Sequence, residues 1–203
     1  MKLSRAIWVL YGFLAIGMCS SGYVADGLAA EESELWRAGP YSFSDELGGF
    51  TIRGISGSGT LKDPIVLTEE FHSASPTTLV IRTDNVTLTD PSQDAGILFY
   101  LQVQAINGSG RPWIEFEFEL QEHINVPSDY GDGLSFYQPG DKTGLIHSKG
   151  FAHYSDDFEP YDRLLFGSGK VDPGENATFE FPIADFTPKR VFYLVQDPRI
   201  PSS

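Results

Sequence analysis

From Trp113 to Leu120 the chain reads Trp-Ile-Glu-Phe-Glu-Phe-Glu-Leu, and that alternation leaves few folds open. Ile114, Phe116, Phe118 and Leu120 stand two residues apart, with Glu115, Glu117 and Glu119 between them. In an extended chain successive side chains point to opposite faces, so the segment has one apolar and one acidic face. A helix would scatter the same residues around its circumference. The reading is a strand with its phenylalanines on a core and its glutamates towards solvent. Gly96 to Ile106 is a second long run, with Ile97, Phe99, Leu101, Val103 and Ala105 on one face. Asn107-Gly108-Ser109-Gly110 lies between the two runs and tolerates positive φ, so an antiparallel hairpin is expected there.

The same grammar recurs along the chain. Phe50 to Ile55, Pro64 to Glu69, Thr78 to Arg82, Asn85 to Thr89, Leu134 to Phe136, Leu164 to Phe166, Ala177 to Ile183 and Arg190 to Gln196 all read as strands. Gly, Pro, Asn and Asp separate them. No segment beyond Gly49 keeps apolar residues at helical spacing. The expectation is an all-β protein, an antiparallel β-sandwich of immunoglobulin-like or jelly-roll-like type. No Gly-rich turn leads from a strand into a helix, which argues against a nucleotide-binding α/β fold.

The N-terminus reads differently. Lys2 and Arg5 precede an apolar stretch from Ala6 to Met18, and small residues follow at Gly27, Ala29 and Ala30. The stretch is shorter than the about 20 residues of a membrane span and has the layout of a secretory signal peptide. Residues 1–30 are therefore expected to be a signal peptide, 31–48 a polar leader holding a short helix or an edge strand, and 49–203 the sandwich. The product would be secreted, periplasmic or displayed on the cell surface, without a membrane span in the mature chain. Cys19 is the only cysteine. Met18 stands where a lipoprotein signal has a small residue, so lipidation fits poorly. Cleavage near Ala30 would leave a domain with no disulfide and no thiolate chemistry.

Charge narrows the partners. The chain has 28 acidic against 14 basic residues and a formal net charge of −14. Loss of Lys2, Arg5 and Asp26 with the leader makes it more negative still. Such a surface repels phosphate backbones and anionic lipids, so nucleic acid is not an expected partner. A glycan or a cell-surface partner remains open.

Several constellations invite chemistry. Gly54-Ile55-Ser56-Gly57-Ser58-Gly59 misses the register of a nucleophile elbow and lacks its strand-to-helix setting. His72, His123, His147 and His153 form no helical pair, although His147 and His153 could meet across a loop near Asp156. Two acidic loops carry the metal expectation: Asp129 with Asp132, and Asp156 with Asp157 and Asp162. Calcium takes about six to eight hard oxygens, which such loops can supply, though neither has EF-hand spacing. A structural calcium ion is the one cofactor expected, with solvated turns as the competing explanation. Glu115, Glu117 and Glu119 could line a groove as hydrolytic carboxylates, but a polar solvent face accounts for them better. Trp36, Trp113, Tyr130, Tyr137, Phe151, Tyr154, Phe158 and Tyr161 gather around the irregular middle of the chain. Core packing claims most of them, and the tyrosines in polar loops are candidates for stacking on sugar rings.

Two stretches resemble a group of exported bacterial β-sandwich proteins of unestablished function. The first runs from Phe43 to Phe50 and on through Ser58-Gly59-Thr60-Leu61-Lys62-Asp63-Pro64-Ile65-Val66-Leu67. The second starts at Asn107-Gly108-Ser109-Gly110-Arg111-Pro112-Trp113 and includes Phe116, Leu120, Asp132 to Phe136 and Phe192 to Pro198. Ser109 stands where the motif usually has threonine. The resemblance implies export and a sandwich fold and brings no catalytic residue with it. The functional expectation is an exported, non-enzymatic surface, matrix or binding module, with a carbohydrate-binding or weakly hydrolytic domain as the alternative.

Overall fold

The computed structural model describes residues 35–83, 97–129, 131–136, 144–187 and 189–201. The expected signal peptide, Cys19 and the short strand expected at Asn85 to Thr89 lie outside them, as do Tyr130 and Tyr137. The described residues form strands and no helix. These are β1 (Trp36–Ala38), β2 (Tyr41–Ser44), β3 (Phe50–Ser56), β4 (Ile65–Phe71), β5 (Thr77–Thr83), β6 (Ile97–Asn107) and β7 (Glu115–Gln121). They continue with β8 (Leu134–Ser135), β9 (His147–Lys149), β10 (Phe151–Ser155), β11 (Arg163–Gly169), β12 (Asn176–Asp185) and β13 (Val191–Arg199).

Two sheets face each other, as a β-sandwich requires. The first has the order β1-β2-β5-β13-β7-β11-β10; the second has β3-β4-β6-β12-β8, with β9 also on β12. Every pairing is antiparallel except β4 with β6, which run parallel over Ile65↔Leu101 to Phe71↔Asn107. The described part of the leader expected over residues 31–48 is built into the fold: β2 pairs with β5 from Tyr41↔Thr83 to Ser44↔Val80. Tyr41 and Phe43 point inward and are buried, so that stretch has an apolar face of its own, which its polar composition hides.

Phe116, Phe118 and Leu120 of β7 are fully buried, as the alternation requires. Their rings meet Phe179 and Phe181 of β12 across the sandwich, with Phe116 and Phe118 at 4.7 and 5.0 Å from Phe179 and Phe118 at 4.8 Å from Phe181. Each such side chain contributes about 1.5–3 kcal/mol by leaving water.

The expected hairpin at Asn107 is corrected by the structure. β6 belongs to one sheet and β7 to the other, so Asn107 to Gly110 turns a corner between sheets. The reason lies in the asparagine itself, which is fully buried. Its Nδ2 donates to the carbonyls of Arg111 (2.8 Å) and Val171 (2.9 Å), and its Oδ1 accepts from the Ser109 amide and hydroxyl. Its backbone N–H donates to Glu175 O and its carbonyl accepts from Gly174 N–H. An asparagine so engaged, at the last position of the β6 ladder, ties the corner to the neighbouring turn. A Cβ on Gly108 would stand 2.8 Å from the Phe71 carbonyl, so the backbone passes too close for any other residue there. Trp113, buried beyond the corner, donates its indole N–H to Ser109 Oγ.

Candidate functional site

The glutamate face of β7 is also corrected. Glu115 remains half exposed, but Glu117 and Glu119 are buried. β7 lies inside the sheet, and cations from both neighbouring strands close over the carboxylates. Arg199 of β13 reaches Glu117 at 2.6 Å, and Arg163 of β11 pairs with Glu119. Burial raises the pKa of Glu117 above its ordinary value, while Arg199 and Arg163 oppose that rise. Arginines hold both carboxylates in ion pairs, which is a structural arrangement. It offers no open cleft between an acid and a base.

The five aspartates expected to hold calcium are distributed over several places. Asp129 bridges to Tyr161, and Asp162 N–H donates to Ser128 O, so the first loop touches the end of the second. Asp162 is buried there. Asp132 follows in the same turn, its N–H donating to Asp129 O; its own carbonyl accepts the Thr187 hydroxyl and its charge acts on Asp185. Asp156 and Asp157 follow the end of β10, with the Asp157 amide donating to Ser155 Oγ. Two of these carboxylates serve as turn caps: Asp129 Oδ1 accepts the Gly131 N–H at 2.8 Å, and Asp132 Oδ1 accepts the Leu134 N–H at 2.9 Å. Asp185 does the same for Thr187 and Lys189. Short acidic side chains are favoured at such turns because they replace a missing backbone acceptor. Among the described residues no three His, Cys, Asp or Glu side chains gather in a metal-holding group.

The aromatic expectation is partly redistributed as well. Trp113, the ring best suited to stacking on a sugar, is in the core. Tyr161 is exposed, with the Arg163 guanidinium 5.4 Å from its centroid. Tyr154 is half-buried and packs on Phe166 at 6.1 Å.

Tyr154 leads to the best-formed depression among the described residues. β9 pairs with β12 in one sheet, and β10 pairs with β11 in the other. The chain crosses between sheets at Gly150, whose φ of 119° falls where other residues are strained. The partner residue Gly169 is equally constrained, since a Cβ there would lie 1.9 Å from the Gly150 carbonyl oxygen. The crossing splays β9 from β10 and opens a cleft of about 290 Å³. His147 and Ser148 come to it from β9, and Phe151, His153 and Tyr154 from β10, with Phe166 behind. His147 Nε2 stands 3.1 Å from Glu180 Oε2, its cross-strand partner on β12. Ser148 Oγ is buried and has no hydrogen-bond partner among the described residues. Among the described residues no acidic side chain lines this cleft. The arrangement supplies hydrogen-bond donors and acceptors over aromatic faces, and it lacks the paired carboxylates of a glycosidase. The sequence allowed His147 and His153 to meet across a loop, and both line this cleft; the jump at Gly150 that brings them there has no pattern-level signal beyond that glycine.

One buried residue escaped the sequence reading. Glu69 sits at an inward position of β4, in period with Ile65, Leu67 and Phe71, and is fully buried. Carrying the alternation two residues past Leu67 would have placed it there. Gln196 of β13 is inward in the same way, in period with Phe192 and Leu194. No known protein family, characterised protein or solved structure matches the chain.

Proposed function

We propose that this chain is an exported, non-enzymatic binding module whose ligand surface is the cleft between β9 and β10. The observation that carries the reading is the cleft's lining: His147, Ser148, His153 and Tyr154 around the Phe151 and Phe166 rings. Ligand sites combine an apolar floor with a few convergent polar groups, and this cleft is near the lower end of the usual size range, about 300–1,000 Å³. A ligand with hydroxyls on one side and a C–H face on the other, such as one sugar ring, matches that lining. The basic, apolar and small-residue order of the N-terminus supports export. The corner at Asn107 and Trp113 gives the motif shared with exported bacterial sandwich proteins a structural purpose, in keeping with the resemblance.

The test is a glycan array followed by titration of each hit against the wild type, Tyr154→Ala and His153→Ala. The expected result is a ligand that raises the melting temperature and loses about tenfold or more in affinity in both variants, as removal of about 1.4 kcal/mol each would give. Undiminished binding by both variants would move the site elsewhere, and an array with no hit would remove the glycan.

A further inference from the structure

Glu69 and Gln196 face each other inside the sandwich, one from each sheet. Both are completely buried. The two side chains are within reach of each other, yet neither glutamate oxygen and neither amide atom closes a bond of good geometry. Thr77, directly across from Gln196 on β5, has a buried hydroxyl also lacking a partner among the described residues. Four facing polar atoms without partners are costly in an interior that pairs nearly all of its polar groups. One small adjustment satisfies all four. A protonated Glu69 donates its O–H to Gln196 Oε1, and Gln196 Nε2–H donates to the other Glu69 oxygen. An ionised Glu69 cannot do this, because its two oxygens and the amide oxygen are all acceptors.

We infer that Glu69 and Gln196 form a proton-dependent latch between the two sheets, closed when the carboxyl carries its proton and broken when the proton leaves. The surroundings favour the neutral form. Burial is the largest influence on Glu69, and the nearby Asp45 carboxylate adds repulsion. Asp45 is held in place by accepting the Ile52 N–H. The residues paired with Glu69 in its own sheet are Ile52 on β3 and Ala105 on β6, neither of which can neutralise it. Arg53 and Glu70 pair with each other at the surface, 2.6 Å apart. On β13 and β7, Asp197, Arg199 and Glu117 interact with one another on the outer face. No cation faces Glu69 among the described residues.

The direction with pH follows. Glu69 is pushed up to about 8 from its ordinary 4.5. The folded state therefore holds a proton that the unfolded state releases between those values. Stability from the latch is complete below the lower value and is lost as pH rises through the upper one.

The deciding measurement is carbon NMR of the Glu69 carboxyl, assigned through bonds from the backbone in the folded wild type. The expected result is a single titration well above the acid range, with a midpoint that moves down in Gln196→Leu, because the latch holds the proton through the amide. Alongside it, the melting temperature of Glu69→Gln is compared with wild type from about pH 5 to about pH 9. The wild type should lose several degrees that the variant keeps. A Glu69 carboxyl titrating with the exposed glutamates, a midpoint that stays or rises in Gln196→Leu, or two melting profiles that stay parallel would overturn the latch. The NMR arm on the wild type stands even if a variant does not fold.

Discussion

Glu117 and Glu69 are both taken out of water, both have their pKa raised by burial, and the fold treats them in opposite ways. Glu117 lies on the outer face of its sheet, where arginines from β13 and β11 reach over it. Its charge is retained and matched. Glu69 lies between the sheets, where the strands present isoleucine, alanine and an amide. No cation can reach it without crossing the core, so the proton itself becomes the partner. Depth of burial sets the size of the desolvation penalty, but the chemistry available at that depth decides which protonation state survives.

The largest expected effect fixes the scale of the apolar interior. Phe118→Ala removes a ring in contact with Phe116, Phe166, Phe179 and Phe181 and should cost about 3–5 kcal/mol in urea unfolding. A loss below about 1.5 kcal/mol would mean that the aromatic core repacks freely around the gap. Next comes Arg199→Ala, which deprives Glu117 of its nearest cation. The cost should be about 1–2 kcal/mol, less than for a sealed pair because Arg199 keeps one side in water. Arg199 holds the Glu117 pKa down, so its removal should hurt more at about pH 8 than at about pH 5, where protonation relieves the orphaned carboxyl. An equal cost at both values would show that Arg163 alone suffices. The smallest effect is Glu115→Ala, within about 0.5 kcal/mol, since Glu115 is half open to solvent and 3.8 Å from Arg199. If Glu115→Ala cost as much as Glu117→Ala, the contrast between the end and the middle of β7 would collapse.

These residues also mark what the sequence could and could not say. The period of β7 was enough to direct Phe116, Phe118 and Leu120 to the core, because alternation is a local property of an extended chain. Its neighbours were not local. Arg163 and Arg199 approach Glu119 and Glu117 from strands far away in sequence, and without knowing which strands flank β7 its acidic face reads as wet. Asn107 shows the same limit in a turn. Asn-Gly favours positive φ wherever it occurs, but whether the chain reverses within a sheet or passes to the opposite one depends on partners such as Val171 and Glu175. The acidic loops were legible as turns. Two of their caps use single aspartates, Asp129 and Asp132. The cleft depends on a crossing at Gly150 that follows from pairing, with β9 on β12 and β10 on β11.

The placement of β13 has a consequence for how the molecule is made. It is the last strand of the sandwich, yet it lies in the middle of its sheet, between β5 and β7. A chain emerging from its N-terminus therefore carries β5 and β7 as two raw edges, with no path between them, until Val191 to Arg199 arrives. Pairings of such long sequence separation form slowly, and the open edges are exposed to other chains meanwhile. The keystone of this arch is laid last, so synthesis or passage across a membrane would run to the end of β13 before the sheet could close.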